Sequence, residues 1–179
     1  GVVKRVLAAQ SQAVPADVAL AASADDALFA TLCYLVADRQ LRLLSVWSPT
    51  FALQLLDALP VWADGIIDVL QNGNWRGRQQ SLKQLTAPYA PNRAQELKRI
   101  LALPKAFWTS ELWPDLAVVS AWDTADAAPW AEQLQRLVPH ASFEGKGLWA
   151  TEGVVTIPMD GHYPLAYQSH FYEFEDLTN

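Results

Sequence analysis

A chain of 179 residues in which 51% are apolar and eight are tryptophan has the composition of a folded domain, which excludes an intrinsically disordered segment. Its net charge of −6 disfavours nucleic acid as a partner, and no apolar run approaches the ~20 residues that a membrane-spanning helix needs. The single cysteine, Cys33, cannot form an internal disulfide, and without a signal-peptide pattern it indicates a reducing cytoplasm.

The first 110 residues have mainly the apolar spacing of helices. Ser23, followed by Asp25 and Asp26, is typical of a helix cap with an acidic first turn. The pattern predicts helices over 23–38, 48–60 and 62–73 and a fourth from 91 onward, with a short strand over 41–47.

The polar segment 74–91 contains Gly77 and Pro88 and predicts a mobile connection. At the start of the next helix, Gln95 is placed for a capping box. The basic residues between Trp75 and Lys105 suit contact with phosphate, but charge on solvated helices and loops is the favoured interpretation.

The second part of the chain, from residue 111, predicts a βαβ unit with a right-handed crossover. The apolar run 116–122 is typical of a strand buried on both faces, and a second strand is expected over 141–143. The helix between them begins at Pro129, with Trp130, Leu134 and Leu137 on one face. Ligands of open α/β sheets bind beyond the carboxyl ends of the strands, where residues 144–147 would lie.

Two further strands are expected over 154–157 and 169–174, with Asp160-Gly161 as a turn between them. The second of these strands contains His170, which is more often a core residue than a base. None of the three histidines has the spacing of a metal ligand.

The stretch from Phe143 to Pro158 carries the candidate chemistry. Gly145, Gly147 and Gly153 permit tight turns or close approach of a ligand to the backbone. Thr151 offers a hydroxyl, and Glu152 offers a carboxylate suited to Mg²⁺. These residues predict a nucleotide-phosphate and metal site. The alternative, and the commoner origin of so short a motif, is a pair of turns around a strand.

Thr151-Glu152, followed by Phe171-Tyr172-Glu173-Phe174, resembles the acyl-acid-amido synthetases of the auxin-responsive family, with bacterial members the most similar. That family is a branch of the luciferase-like acyl-adenylate-forming superfamily and carries an aromatic-x-x-Ser/Thr-Glu nucleotide motif. This chain departs from the motif at Leu148, where the family usually has an aromatic residue.

The resemblance implies ATP-dependent adenylation of a small-molecule carboxylic acid, followed by acyl transfer to an amine such as an amino acid. Glu152 would be the catalytic residue that holds Mg²⁺, and Thr151 would bond the α-phosphate of ATP. Gly147 and Leu148 would line the adenine. Trp149, with residues 48–51, would border the acyl group.

The implied fold class is α/β, with a helical amino-terminal half and a βαβ-based mixed sheet. Residues 1–179 would form one partial domain, divided into a mainly helical part (1–110) and a sheet part (111–179). Because neither a Ser/Thr/Gly-rich phosphate loop nor a carboxy-terminal lid is recognisable, we expect the central fragment of a larger enzyme, inactive by itself. The alternative is a non-catalytic α/β interaction or scaffold module.

Overall fold

In a computed structural model of the chain, the structure describes residues 12–150, 153–169, 171–173 and 175. Helices dominate up to residue 112, and a parallel sheet is assembled from strands on both sides of that point. The α-helices of the described part are α1 Ala24–Ala37, α2 Pro49–Val61, α3 Ala63–Asn72, α4 Pro91–Leu101, α5 Trp108–Leu112 and α6 Ala128–Leu137.

Two of the helix ends are determined by capping residues that are recognisable in the sequence. The side chain of Ser23 accepts a hydrogen bond from the backbone N–H of Asp26 at 3.1 Å, which caps α1 as predicted. Gly73 ends α3 with a φ of 64°, and its N–H donates to the carbonyl of Val69. Helix α2 extends to Val61, one residue beyond Pro60, which was expected to close it.

The segment 74–91, predicted as a mobile connection, packs several apolar residues into the core. Trp75 and Leu82 are fully buried, and the indole N–H of Trp75 donates to the carbonyl of Leu85 at 2.8 Å. Trp75, Leu82 and Leu85 are the three apolar residues between positions 74 and 85, and so sparse a pattern does not predict their burial. The capping box is also absent, because α4 begins at Pro91 after Ala90 and no side chain caps it.

The basic residues between 75 and 105 mostly pair with carboxylates of the same chain. Arg78 contacts Asp25 and Asp26 of α1, and its guanidinium lies over the ring of Phe29, 4.5 Å from the centroid. Further ion pairs join Arg76 to Asp68, Arg93 to Glu96 and Lys105 to Asp57. Internal pairing therefore accounts for four of these residues, whereas Lys83, Lys98 and Arg99 are exposed, as the solvated interpretation expects.

Three parallel strands form the main sheet in the order β1 Leu43–Ser45, β2 Val118–Ala121 and β3 Ser142–Gly145. In register, Ser45 pairs with Ser120, which pairs with Glu144. Helix α6 connects β2 to β3, so the predicted βαβ unit is present. Burial alternates along β2: Val119 and Ala121 are buried, and their neighbours are half-buried, so the strand is fully covered on one face only.

The core joins both parts of the chain, since Val119 of β2 and Leu134 of α6 share one buried cluster with the helices. The inward face of α6 carries Ala131 and Leu134, and Val138, directly after the helix, is buried with them. Trp130 lies one position out of phase with that face and is half exposed, which corrects its predicted burial.

After β3, a short antiparallel pair joins β4 Trp149–Ala150 to β5 Gly153–Val154. The turn at Asp160 and Gly161 is present, with φ of 50° and 75°. Around it Met159 pairs with His162 and Thr156 with Leu165. The prediction of a strand over 169–174 is wrong at the described positions 169 and 171–173. Because the turn has only two residues, the residues directly after it pair with those directly before it. His170 and Phe174 lie outside the described residues.

Cys33 is buried in α1 as expected. Among the described helices, none is both long and apolar enough to cross a membrane.

Candidate functional site

The carboxyl ends of the three parallel strands meet at one edge of the sheet. Backbone hydrogen bonds continue past the strands: Val46 N–H donates to Ser120 at 2.9 Å, and Trp122 N–H donates to Trp47 at 2.9 Å. The N–H of Lys146 donates to Ala121 at 3.2 Å. This edge is the expected ligand position of an open parallel sheet.

Lys146, directly after β3, is a charged residue at this edge, and its side chain reaches Ser45 of β1. Its residue surface is 8% exposed, and its Nζ donates a hydrogen bond to the hydroxyl of Ser45 at 2.8 Å. Nζ also lies 5.7 Å from the ring centroids of both Trp47 and Trp149. Burial lowers the pKa of Lys146, because desolvation disfavours the ammonium form.

Tryptophan rings surround the Lys146 ammonium. The ring of Trp47 lies 5.5 Å from that of Trp122 and 6.2 Å from that of Trp149, measured between centroids. Trp47 is 54% exposed, so much of its ring remains open to contact. Trp149, predicted to border the acyl group, donates its indole N–H to the carbonyl of Thr156, which leaves only its ring for a ligand.

Gly147 and Leu148, predicted to line adenine, sit where β3 turns toward β4. Gly147 has a φ of 68°, and a Cβ there would lie 2.8 Å from the hydroxyl and 2.9 Å from the carbonyl oxygen of Thr156. The N–H of Leu148 donates to that same hydroxyl at 2.7 Å. Packing within the chain thus explains the need for Gly147, whereas the side chain of Leu148 is 61% exposed and free to contact a ligand.

Ser48, expected to border the acyl group with residues 49–51, caps α2 by accepting from the N–H of Thr50 at 3.3 Å. Its hydroxyl also shares a 2.6 Å hydrogen bond with that of Thr50. Phe51, in the first turn of α2, is 42% exposed. Among residues 48–51, which were predicted to border the acyl group, Phe51 therefore has an exposed apolar side chain that a ligand could contact.

Asp123 and Tyr163 form a second polar group beside Gly145. The Tyr163 hydroxyl lies 3.0 and 2.9 Å from the two carboxylate oxygens of Asp123, to which it donates. Burial, followed by the hydrogen bond and charge of Asp123, raises the pKa of Tyr163. A Cβ on Gly145 would collide with both side chains. Local sequence patterns do not reveal this contact, since the residues are 40 positions apart.

Thr151 and Glu152, the predicted phosphate and metal residues, lie outside the described residues. Ala150 and Gly153, which flank them in sequence, are paired across β4 and β5. Among the residues that the structure describes, no group of three or more His, Cys, Asp or Glu side chains is able to hold a metal ion. Binding of Mg²⁺ therefore stays a prediction that rests on Glu152.

Comparison with known families decides the ancestry of the chain. Residues 3–143 match the GH3 family N-terminal domain, which is more than half of the chain. The chain belongs to the GH3 family. This membership confirms the resemblance to the acyl-acid-amido synthetases of the auxin-responsive family. The GH3 match ends at Phe143, just before the stretch that carries Lys146 and Glu152.

Two solved GH3 structures share the fold. The chain superposes on GH3.15 acyl acid amido synthetase with a TM-score of 0.69 and 12% identity, covering 83% of this chain and 29% of that one. For AtGH3.15 acyl acid amido synthetase in complex with 2,4-DB, the TM-score is 0.58 and the identity 15%, covering 76% and 26% of the two chains. No curated protein sequence matches the chain.

These likenesses confirm the α/β fold class. At 12% and 15% identity they establish the fold alone, and the chain spans less than a third of the length of either structure.

Proposed function

We propose that this GH3 chain is the central part of an ATP-dependent acyl acid amido synthetase. A carboxylate oxygen of the acid would attack the α-phosphorus of ATP, the bond to pyrophosphate would break, and an acyl-adenylate would form. An amine, such as that of an amino acid, would then attack the acyl carbon and lose a proton, while AMP departs with the oxygen that came from the acid. The GH3 family match over residues 3–143 carries this proposal.

The solved neighbours support both the reaction class and the kind of acid. Both are named acyl acid amido synthetases, and one is described in complex with 2,4-DB. A small-molecule carboxylic acid is therefore the substrate class that we propose. We also propose that the protein acts in the cytoplasm. In the same proposal, residues 1–179 form a single partial domain, divided into parts 1–110 and 111–179.

The described residues fit the anionic and planar parts of ATP or of an aromatic acid. Lys146 supplies an ammonium group at the carboxyl ends of the strands, and Trp47 supplies an exposed flat apolar ring. The exposed side chain of Leu148 is available to adenine. Thr151 would bond the α-phosphate, and Glu152 would hold Mg²⁺, which when bound would neutralise phosphate charge as pyrophosphate leaves.

An ATP–pyrophosphate exchange screen on the full-length protein tests this function. Carboxylic acids are supplied one at a time with ATP, Mg²⁺ and labelled pyrophosphate. We expect exchange that depends on the acid and saturates with it, because adenylation is reversible before the amine is added. Absence of exchange across aromatic, aliphatic and indolic acids would contradict the proposal and favour a non-catalytic interaction or scaffold module.

A further inference from the structure

Among the residues that the structure describes, none provides a counter-ion for the buried ammonium group of Lys146. None of the described residues brings a carboxylate oxygen within 4.0 Å of Nζ, and the single side-chain hydrogen bond goes to the neutral hydroxyl of Ser45. An ammonium has three N–H donors, so the Ser45 hydroxyl uses one of them. Burial of a charge costs free energy unless an opposite charge or a set of hydrogen bonds offsets it.

Arg93, the other well-buried cation among the described residues, has such compensation. Arg93 donates to the carbonyls of Val36 and Leu112 at 2.9 Å each and pairs with Glu96. Lys146 has instead two tryptophan rings, each at a distance where cation–π attraction is modest. Within the described residues, the charge of Lys146 is therefore available to a ligand, whereas the charge of Arg93 is already paired.

Two described carboxylates near the end of β3, those of Asp123 and Glu144, do not pair with Lys146. Both oxygens of Asp123 accept from the hydroxyl of Tyr163, and neither forms an ion pair with Lys146. Glu144 precedes Lys146 by two residues, but its side chain is exposed. Trp47, whose ring borders the ammonium, is 54% exposed, so an approach to the site lies along an open apolar surface.

We propose that Lys146 is the anion-binding residue of this site and holds an anionic oxygen of a ligand whose flat apolar part packs on Trp47. The proposal rests on the function proposed above and names a residue for it. Two ligands share the required chemistry: the carboxylate of an aromatic acid, and a phosphoryl oxygen of the nucleotide. In either case the charge of Lys146 would reduce the repulsion between the carboxylate and the triphosphate before they react.

The test compares Lys146→Met, Lys146→Arg and the matched control Lys83→Met in the full-length protein. Met keeps an unbranched apolar side chain but removes the charge and its donors, while Arg keeps the charge. Lys83 is exposed and lies outside the site. Exchange kinetics give separate KM values for the acid and for ATP, and a melting curve reports on folding.

We expect Lys146→Met to raise one of the two KM values by about tenfold or more, as loss of a charged hydrogen bond predicts. A higher KM for the acid assigns the carboxylate to Lys146, and a higher KM for ATP assigns the phosphoryl oxygen. The melting temperature should stay equal or rise, because an uncompensated buried charge is removed. Lys146→Arg should retain part of the affinity, and Lys83→Met should match the wild type.

Wild-type KM values for both ligands in Lys146→Met would overturn the inference while leaving the proposed function intact. So would a lowered melting temperature with unchanged KM values, the result expected of a purely structural lysine. If the wild type shows no exchange, the proposed function fails, and quenching of tryptophan fluorescence by benzoate and by AMP then tests Lys146 directly. Saturable quenching that is lost in Lys146→Met supports the anion site, whereas quenching unchanged in the variant, or absent from the wild type, refutes it.

Discussion

At the scale of single residues, the two glycines Gly147 and Gly77 differ in what surrounds them. Gly147 combines a φ of 68° with a close approach to Thr156, whereas a Cβ on Gly77 would meet nothing within 4 Å. We expect Gly147→Ala to destabilise the protein by about 1–3 kcal/mol, since alanine is strained at this φ and would also clash. Gly77→Ala should be neutral or stabilising within about 1 kcal/mol.

Urea unfolding followed by tryptophan fluorescence measures both glycine variants. Equal midpoints for the two would show that the turn after β3 tolerates a Cβ, and would remove the steric account of Gly147. If Gly147→Ala also binds ATP more weakly at a temperature where it remains folded, that result would agree with the predicted position of Gly147 beside the adenine.

Glu152 carries the predicted metal contact, and Glu152→Gln should reduce ATP–pyrophosphate exchange by about two to three decades. Glutamine keeps the size of the side chain and one acceptor, but it lacks the charge that would hold Mg²⁺. Glu132→Gln is the matched control, because Glu132 is an exposed carboxylate of α6 away from the strand ends. Exchange rates are measured at saturating Mg²⁺, with a melting curve for each variant.

A folded Glu152→Gln protein with the wild-type rate would take Glu152 out of the site. The sequence alone supports this prediction, in contrast to the prediction for Lys146, which geometry supports. The two substitutions therefore test independent lines of evidence.

At the scale of elements, the start of α1 is tied to the segment 76–81 through Asp26. This carboxylate accepts from the hydroxyl of Ser23 at 2.8 Å and pairs with Arg78. Hydrogen bonding by Ser81, with further contributions from Arg78 and Ser23, lowers the pKa of Asp26 below its usual 3.8. A carboxyl group whose pKa falls on folding stabilises the folded state above its unfolded pKa, and that stabilisation is lost as the pH falls through the folded value.

We therefore expect Asp26→Asn to lower the free energy of unfolding by about 1–3 kcal/mol at pH 7. The gap to the wild type should shrink as the pH falls below about 4, because Asp26 of the unfolded chain is protonated first and that of the folded protein only at lower pH. Asp64→Asn is the control: Asp64 lies in the first turn of α3 but forms no ion pair within the described residues. Urea unfolding at pH 7 and pH 3 measures the difference, and a gap that does not depend on pH would contradict the assignment.

Sequence patterns were informative about elements whose chemistry is local. The cap at Ser23, the end of α3 at Gly73 and the turn at Asp160 and Gly161 each depend on residues within a few positions of one another. The βαβ unit was also predictable, because a buried strand and an amphipathic helix have distinct periods. The pairing of Thr156 with Leu165 is not apparent from the sequence, because the aromatic residues over 169–174 resemble a strand more closely.

The position of residues 144–147 at the strand ends was predictable, but the burial of Lys146 was not. The rule for parallel sheets placed residues 144–147 at the strand ends, and Gly147 was identified from the motif. Lys146 was not, because a lysine between two glycines is normally solvated, and its burial depends on Ser45 and Trp47, 101 and 99 positions away in the chain. Its place within residues 144–147, at the expected carboxyl end of a strand, was the one local signal.

At the scale of the whole molecule, the fold is kept with few identical residues. The TM-score of 0.69 at 12% identity fits a core that tolerates many apolar exchanges if volume and pattern are maintained. Catalysis depends instead on particular atoms, so the fold by itself leaves the reaction to be tested. The central claim is that an oxygen of a carboxylic acid attacks the α-phosphorus of ATP.

Oxygen-18 transfer tests that claim most directly. The full-length protein is supplied with ATP, an amine and a carboxylic acid labelled with oxygen-18 in both carboxylate positions, using an acid chosen by the exchange screen. Mass spectrometry then follows the label. Adenylation followed by aminolysis predicts AMP that carries one oxygen-18 atom for each amide formed. Label in inorganic phosphate, with ADP as the nucleotide product, would show attack on the γ-phosphorus and contradict the account.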